Sequence, residues 1–140
     1  MPPRRPTLTQ AHYERLAAWR HTLHRFLHFS QEAAHAAGLT PQQHQALLAI
    51  KGFPGRDHAS IGELAARLQL RHHSTVGLVD RLVRRQLLRR RPSPTDGRRV
   101  ELQLTARGER LLHRLSAAHW RELRQLGPEL RRALQEILEA

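Results

Sequence analysis

Two groups of side chains in this sequence have types and spacings that could do chemistry. The first lies in "HHSTVGLVDRLVRR", where His72, His73, Ser74, Gly77, Arg81 and Arg84 recur at helical spacing. On a helical wheel Gly77, Arg81 and Arg84 fall within about 80° of His73. Val76, Leu78, Val79, Leu82 and Val83 fall on the opposite side. A guanidinium donates in a planar fork that matches phosphate oxygens. A neutral imidazole gives or takes one hydrogen bond, and a protonated one also pairs with phosphate. Gly77 lowers helix stability by about 1 kcal/mol relative to alanine. Its missing side chain would let such a face approach a groove closely. The plainer account is a solvated face on which Gly77 has no task.

The second group is a histidine stripe. His21, His24, His28 and His35 fall within an arc of about 60° on one helix. His24 and His28, four residues apart, could hold one metal ion. A third ligand would have to come from elsewhere, with His44, His113 and His119 as candidates. A regulator sensing metal, haem or pH is one reading. The plainer one is a stripe that borders a core or sits in water, since no acid or cysteine accompanies it at matching spacing.

Catalysis has little support. The sequence holds no glycine-rich phosphate loop, no nucleophile elbow and no HExxH motif. No enzyme activity, cofactor or bound metal is expected. There is no cysteine, so disulfides and thiolate sites are excluded. No apolar run approaches 18 residues, so no membrane partner is expected. The start, "MPPRRPTLTQ", is basic without an apolar signal core. A soluble cytoplasmic protein of bacterial type is expected.

The charge balance points to a polyanion. In 140 residues there are 24 basic and 12 acidic side chains, a net of +12, and Lys51 is the only lysine. Between Arg56 and Arg99 stand eleven arginines against four acids, so much of the excess sits in under a third of the chain. Such an excess speaks of partners rather than of fold.

The elements that must position these residues are mostly helical. Residues 1–8, rich in proline, are expected as a flexible arm. A long helix over 9–37 carries Leu16, Trp19, Leu23, Phe26, Leu27 and Ala34 at helical spacing. "GLTPQQ" ends it at Gly38 and starts the next helix with Thr40 as N-cap, Pro41 in the first turn and Gln43 completing a capping box. Ser60 and Glu63 open a third helix in the same way. A short turn then leads into the basic helix, the pattern of a helix-turn-helix.

Beyond it the period changes from 3.6 to 2. "LLRRRPSPTDGRRVELQLT" predicts a hairpin with a basic tip, Val100, Leu102 and Leu104 facing inward and Arg99, Glu101 and Gln103 outward. Thr105 is placed to cap the next helix, and "GP" at 127–128 is expected to break or end it. A tail helix follows with Leu130, Leu134, Ile137 and Leu138 on one side. One domain is expected, mainly α with a small β-hairpin.

"SIGELAARLQLRHHSTVGLVDRLVRRQLLRRRPSPTDGRRVELQLTARG" resembles the MarR family of winged helix-turn-helix transcription regulators over roughly 40–110. The most specific part is Asp96-x-Arg98 followed by Leu104-Thr105-x-x-Gly108, with "STVxxLVDRL" matching the recognition helix. The resemblance implies a DNA-binding lobe over 40–108, flanked by dimerisation helices at 9–37 and 109–140. It implies a homodimer on double-stranded DNA at a pseudo-palindromic operator, acting as a ligand-responsive repressor. Arg98 would enter the minor groove, supported by Asp96. His72, His73, Ser74, Thr75, Gly77, Arg81, Arg84 and Arg99 complete the expected DNA-binding set. A small aromatic or phenolic effector would be lined by Trp19, His24, His28 and His44. Leu16, Leu23, Leu130, Leu134 and Ile137 are the expected interface. Two recognition helices would then sit about 34–36 Å apart.

A sequence-indifferent architectural DNA-binding protein is the alternative from another class. The sequence also departs from the family at two turns. Gln69 and Gln86 stand where relatives often have glycine, which leaves the shape of those caps open.

Overall fold

The computed structural model describes residues 1–5 and 7–140. Pro6, part of the expected arm, lies outside the described residues. The elements run α1 (Gln10–Ala36), α2 (Pro41–Lys51), β1 (His58–Ala59), α3 (Ile61–Leu68), α4 (His72–Arg84), β2 (Leu88–Pro92), β3 (Val100–Leu104) and α5 (Ala106–Leu138). They form two compact units, one of 31–117 and one of 1–30 with 118–140.

The first unit is built on the predicted caps. Thr40 and Gln43 form a reciprocal capping box at the start of α2, with Pro41 in its first turn. Ser60 and Glu63 do the same for α3. Both boxes satisfy amide groups that a helix start leaves without partners. Leu47, Ile50, Leu64, Leu78, Leu82 and Leu102 are buried in one core shared by α2, α3, α4 and the sheet. Fully burying a side chain of this size contributes about 1.5–3 kcal/mol.

The sheet has three antiparallel strands in the order β1-β3-β2, not the expected two. β1 is only two residues long, with His58 opposite Gln103 and Ala59 opposite Leu102. β2 and β3 pair from Leu88–Leu104 at the base to Pro92–Val100 near the tip. The predicted alternation holds at Leu102 and Leu104, which are buried, and fails nearer the tip. Val100 is exposed and Glu101 is buried. The carboxylate of Glu101 accepts from Arg91 Nε at 3.1 Å and lies 3.5 Å from His58 Nε2. Cationic and polar neighbours therefore cover a face that the pattern assigned to water.

In the other unit the N-terminal part of α1 and the C-terminal part of α5 meet. His119 Nε2 is hydrogen-bonded to Ser30 Oγ at 2.8 Å, and Phe26 and Phe29 stand edge-on to its ring. Arg25 donates to Glu129 at 2.7 Å. The expected break at 127–128 does not occur: Pro128 lies inside α5. The apolar positions Leu126, Leu130, Ala133 and Ile137 stay in helical phase across it, and Leu126 and Ala133 are buried. Packing on both sides of the proline outweighs its intrinsic cost of about 3 kcal/mol.

Candidate nucleic-acid interface

Glu63 and Ser60 set the start of α3, and Gln69 ends it in the left-handed region at φ 54°. The Leu70 amide then donates to Ala65 O at 3.0 Å and the Gln69 amide to Ala66 O at 3.3 Å. The same bonds close α4, where Gln86 has φ 59°, its amide meets Val83 O and the Leu87 amide meets Leu82 O. Both caps thus keep the glycine-type geometry with glutamine in the strained position.

α4 presents His72, His73, Ser74, Arg81 and Arg84 as exposed side chains. No side chain caps its N-terminus at Arg71. The first amides of α4 therefore keep the donor character that suits helix starts to anionic oxygens. Gly77 is half-buried, and a Cβ placed on it would stand 3.5 Å from Arg81 Nη1. The Arg81 guanidinium thus lies along the bare glycine. Thr75 is a correction to the expected contact set. It is fully buried, and its hydroxyl donates to Arg71 O at 3.0 Å. Its wheel angle of about 200° from His73 puts it on the apolar side.

The hairpin tip is ordered by two short side chains. Ser93 Oγ accepts from the amides of Thr95 and Asp96, and the Ser93 amide donates to Arg99 O at 2.8 Å. Asp96 Oδ1 accepts the Arg98 amide at 3.1 Å. Asp96 thus shapes the backbone at Arg98, whose side chain is exposed. Arg98 is in no ion pair among the described residues.

Arg99, expected on DNA, stays exposed, and its Nη2 donates to Glu63 Oε1 at 2.6 Å and to Ser60 Oγ at 3.3 Å. Arg56 also pairs with Glu63 and lies 4.2 Å from the centre of the Phe53 ring. Arg90 pairs with Asp80 of α4, and Arg91 with Glu101. Part of the arginine excess therefore pairs with acids of the lobe, while Arg71, Arg81, Arg84 and Arg98 are exposed and in no ion pair among the described residues. Partial burial raises the pKa of Glu63, but the Ser60 amide and hydroxyl and the Arg56 guanidinium outweigh it. Glu63 ends below its ordinary value.

Residues 37–99, which hold this helix-turn-helix and most of the hairpin, match the family model described as MarR family. Over this segment the chain is similar to the MarR family. MarR proteins are transcription regulators, not enzymes. A DNA-bound point mutant of MepR from S. aureus aligns over 95% of this chain and 98% of its own, at 19% identity and a TM-score of 0.68. RV1404 from Mycobacterium tuberculosis aligns over 99% and 98%, at 22% identity and 0.74. Apo wild-type MarR from E. coli aligns over 96% and 97%, at 20% identity and 0.69. These likenesses show a winged-helix MarR fold along the chain. No curated protein matches the sequence.

The remaining expected MarR residues fall in separate places. Trp19 is half-buried, and His24 and His28 are exposed, all in the unit of 1–30 and 118–140. His44 is in the other unit, buried at 4% exposure. Among the described residues no group of three His, Cys, Asp or Glu side chains is placed to hold a metal ion. Leu16 and Leu134 are exposed at 49% and 41%, while Leu23, Leu130 and Ile137 are half-buried.

Sequence reasoning missed Arg85. It donates to Gly38 O at 2.7 Å and to Gln43 Oε1 at 3.3 Å, tying the end of α4 to the turn before α2. Nothing local in the sequence signals a link across 47 positions. It also missed the role of Glu63 beyond its capping box.

Proposed function

We propose that this protein is a sequence-specific DNA-binding transcription regulator, a ligand-responsive repressor that acts as a homodimer in the bacterial cytoplasm. The observation that carries the reading is the exposed basic face of α4, with its uncapped start, together with the exposed Arg98 on an ordered tip of a MarR-type wing. α4 would lie in the major groove and Arg98 in the adjacent minor groove, while phosphate contacts supply most of the affinity. A neighbour of the same fold was solved with an oligodeoxyribonucleotide, which supports the assignment.

The dimer reading is supported by apolar side chains without cover, Leu16 and Leu134, beside Leu23, Leu130 and Ile137. A two-fold assembly would read a pseudo-palindrome with half-sites about one DNA turn apart. A small aromatic or phenolic effector would release DNA by binding better to a dimer whose recognition helices have the wrong spacing.

The test is selection of duplexes from random sequence, followed by gel-shift titration of wild type and Arg98→Ala. Selected duplex should outcompete unrelated duplex by about 10³-fold or more. Arg98→Ala should weaken binding while light scattering still shows a dimer. Equal competition by unrelated DNA favours the architectural alternative, and unchanged affinity of Arg98→Ala removes the wing assignment.

A further inference from the structure

We propose that Glu63 is a positioning residue for the wing: by holding Arg99 at the start of α3, its carboxylate fixes where the adjacent Arg98 is presented to DNA. The inference rests on the DNA-binding reading above and names how that same site is held.

The geometry singles out this carboxylate. Oε1 of Glu63 accepts from the Ser60 amide at 3.0 Å and from Arg99 Nη2 at 2.6 Å. Oε2 takes the Arg56 guanidinium, which is itself stacked on Phe53. One side chain of α3 thus joins the loop before β1 and the tip of the hairpin, 36 positions away. The sheet alone does not hold that tip. β1 pairs with β3 only at Leu102 and Gln103, so the hairpin from Glu101 outward extends beyond the third strand. One ion pair ties the overhang to a helix, Arg99 to Glu63 on α3, because Arg90, which pairs with Asp80 on α4, stands opposite Leu102 inside the three-stranded part. Arg99 follows Arg98 directly, and the Arg98 amide is already fixed on Asp96. The Arg99 amide also donates to Asp96 O at 3.0 Å and its carbonyl accepts from the Ser93 amide, so the tip is tied within itself, and the ion pair with Glu63 anchors that tied tip to α3.

A capping role alone does not require an acid here, because glutamine completes the same box. An acid in a lobe meant for phosphate also repels the ligand. This separates the two accounts by sign. Glu63→Gln keeps the box, adds one unit of positive charge and loosens Arg56 and Arg99. If the carboxylate only caps and neutralises, the variant binds duplex more tightly and with a steeper salt dependence. If it positions the wing, binding weakens despite the added charge.

The experiment measures binding of a labelled duplex, selected by the wild type, to four proteins: wild type, Glu63→Gln, Arg98→Ala and the double variant. Salt is varied from low to physiological. Glu63→Gln should bind about tenfold more weakly, the scale for loss of one arginine contact. Its log-affinity against log-salt slope should become shallower by about 0.9, one phosphate-equivalent contact. In the Arg98→Ala background the same change should cause no further loss. A merely structural defect would weaken both backgrounds alike. Arg99→Ala breaks the tie without touching the box, and its loss should likewise vanish when Arg98 is absent, which tests the idea even if Glu63→Gln folds poorly. Tighter binding by Glu63→Gln, or additive losses in the double variant, overturns this inference while leaving the DNA reading intact. A wild type that binds no duplex overturns both.

Discussion

Gly108 and Leu87 meet backbone to backbone: a Cβ on Gly108 would lie 2.2 Å from the carbonyl oxygen of Leu87. The same oxygen accepts the Thr105 amide at 3.1 Å, and Thr105 Oγ1 donates to Gln86 O at 2.6 Å. The Gly108 amide in turn donates to Thr105 Oγ1 at 3.0 Å. The first turn of α5 is thus seated on the joint between α4 and β2. Gly108→Ala should destabilise the protein by at least about 1–3 kcal/mol, the usual range for overpacking, because backbone atoms cannot swing aside. Urea unfolding measures it. Gly127→Ala is the control: nothing lies within 4 Å of its Cβ position in α5, so it should stabilise by about 0.5–1 kcal/mol. Similar effects of the two changes would mean that the contact does not govern stability.

Gln69 and Gln86 hold left-handed backbone with side chains that disfavour it. Each conformation costs roughly 1 kcal/mol relative to glycine. Gln69→Gly and Gln86→Gly should therefore each raise the unfolding midpoint, and the double variant should show nearly the sum if the turns act independently. Leu70 and Leu87, the residues after each glutamine, keep their cap bonds in either case. A lower midpoint for either single variant would show that the glutamine side chain contributes more than the backbone strain removes.

These turns also show what was legible in the sequence. The capping boxes at Thr40 and Ser60 and the length of α4 depend on neighbours within four positions, so the sequence carries them directly. β1 was not legible, because two residues become a strand only by pairing with Leu102 and Gln103. Alternation alone assigns Glu101 to the outside, but its partners Arg91 and His58 come from other segments, and charge pairing overrides the period there. Pro128 misled for a related reason: its local preference opposes a helix that packing holds on both sides. Of the expected DNA contacts, Thr75 falls on the apolar side of the wheel, and the family resemblance carries it into the set regardless.

Glu63 should leave a signature in acid. Burial alone would raise its pKa, but the Ser60 groups and Arg56 lower it overall. A lowered folded pKa contributes stability above the unfolded value, about 4.3 for glutamate. That contribution is lost as pH falls through the lower folded value. The melting temperature of the wild type should therefore exceed that of Glu63→Gln by a constant amount near neutral pH. The gap should close only as pH falls below about 4.3. A gap that persists undiminished at pH 3 would mean that the carboxylate charge is not its source.

Gly77→Ala separates the groove-facing reading of α4 from the solvated one. The added methyl would stand 3.5 Å from Arg81 Nη1, an ordinary contact with the end of a flexible side chain. The fold therefore accepts it, and helix preference predicts a stability gain of about 1 kcal/mol. Binding has the opposite expectation if this face lies against base edges. The methyl then enters a packed contact and pushes Arg81 off its path, weakening the selected duplex by on the order of tenfold. Stability and affinity thus move in opposite directions, so loss of folding cannot account for loss of binding. A more stable variant with unchanged affinity and unchanged sequence preference would place Gly77 outside the contact and leave the ends of α4, His72 to Ser74 and Arg84, to make it.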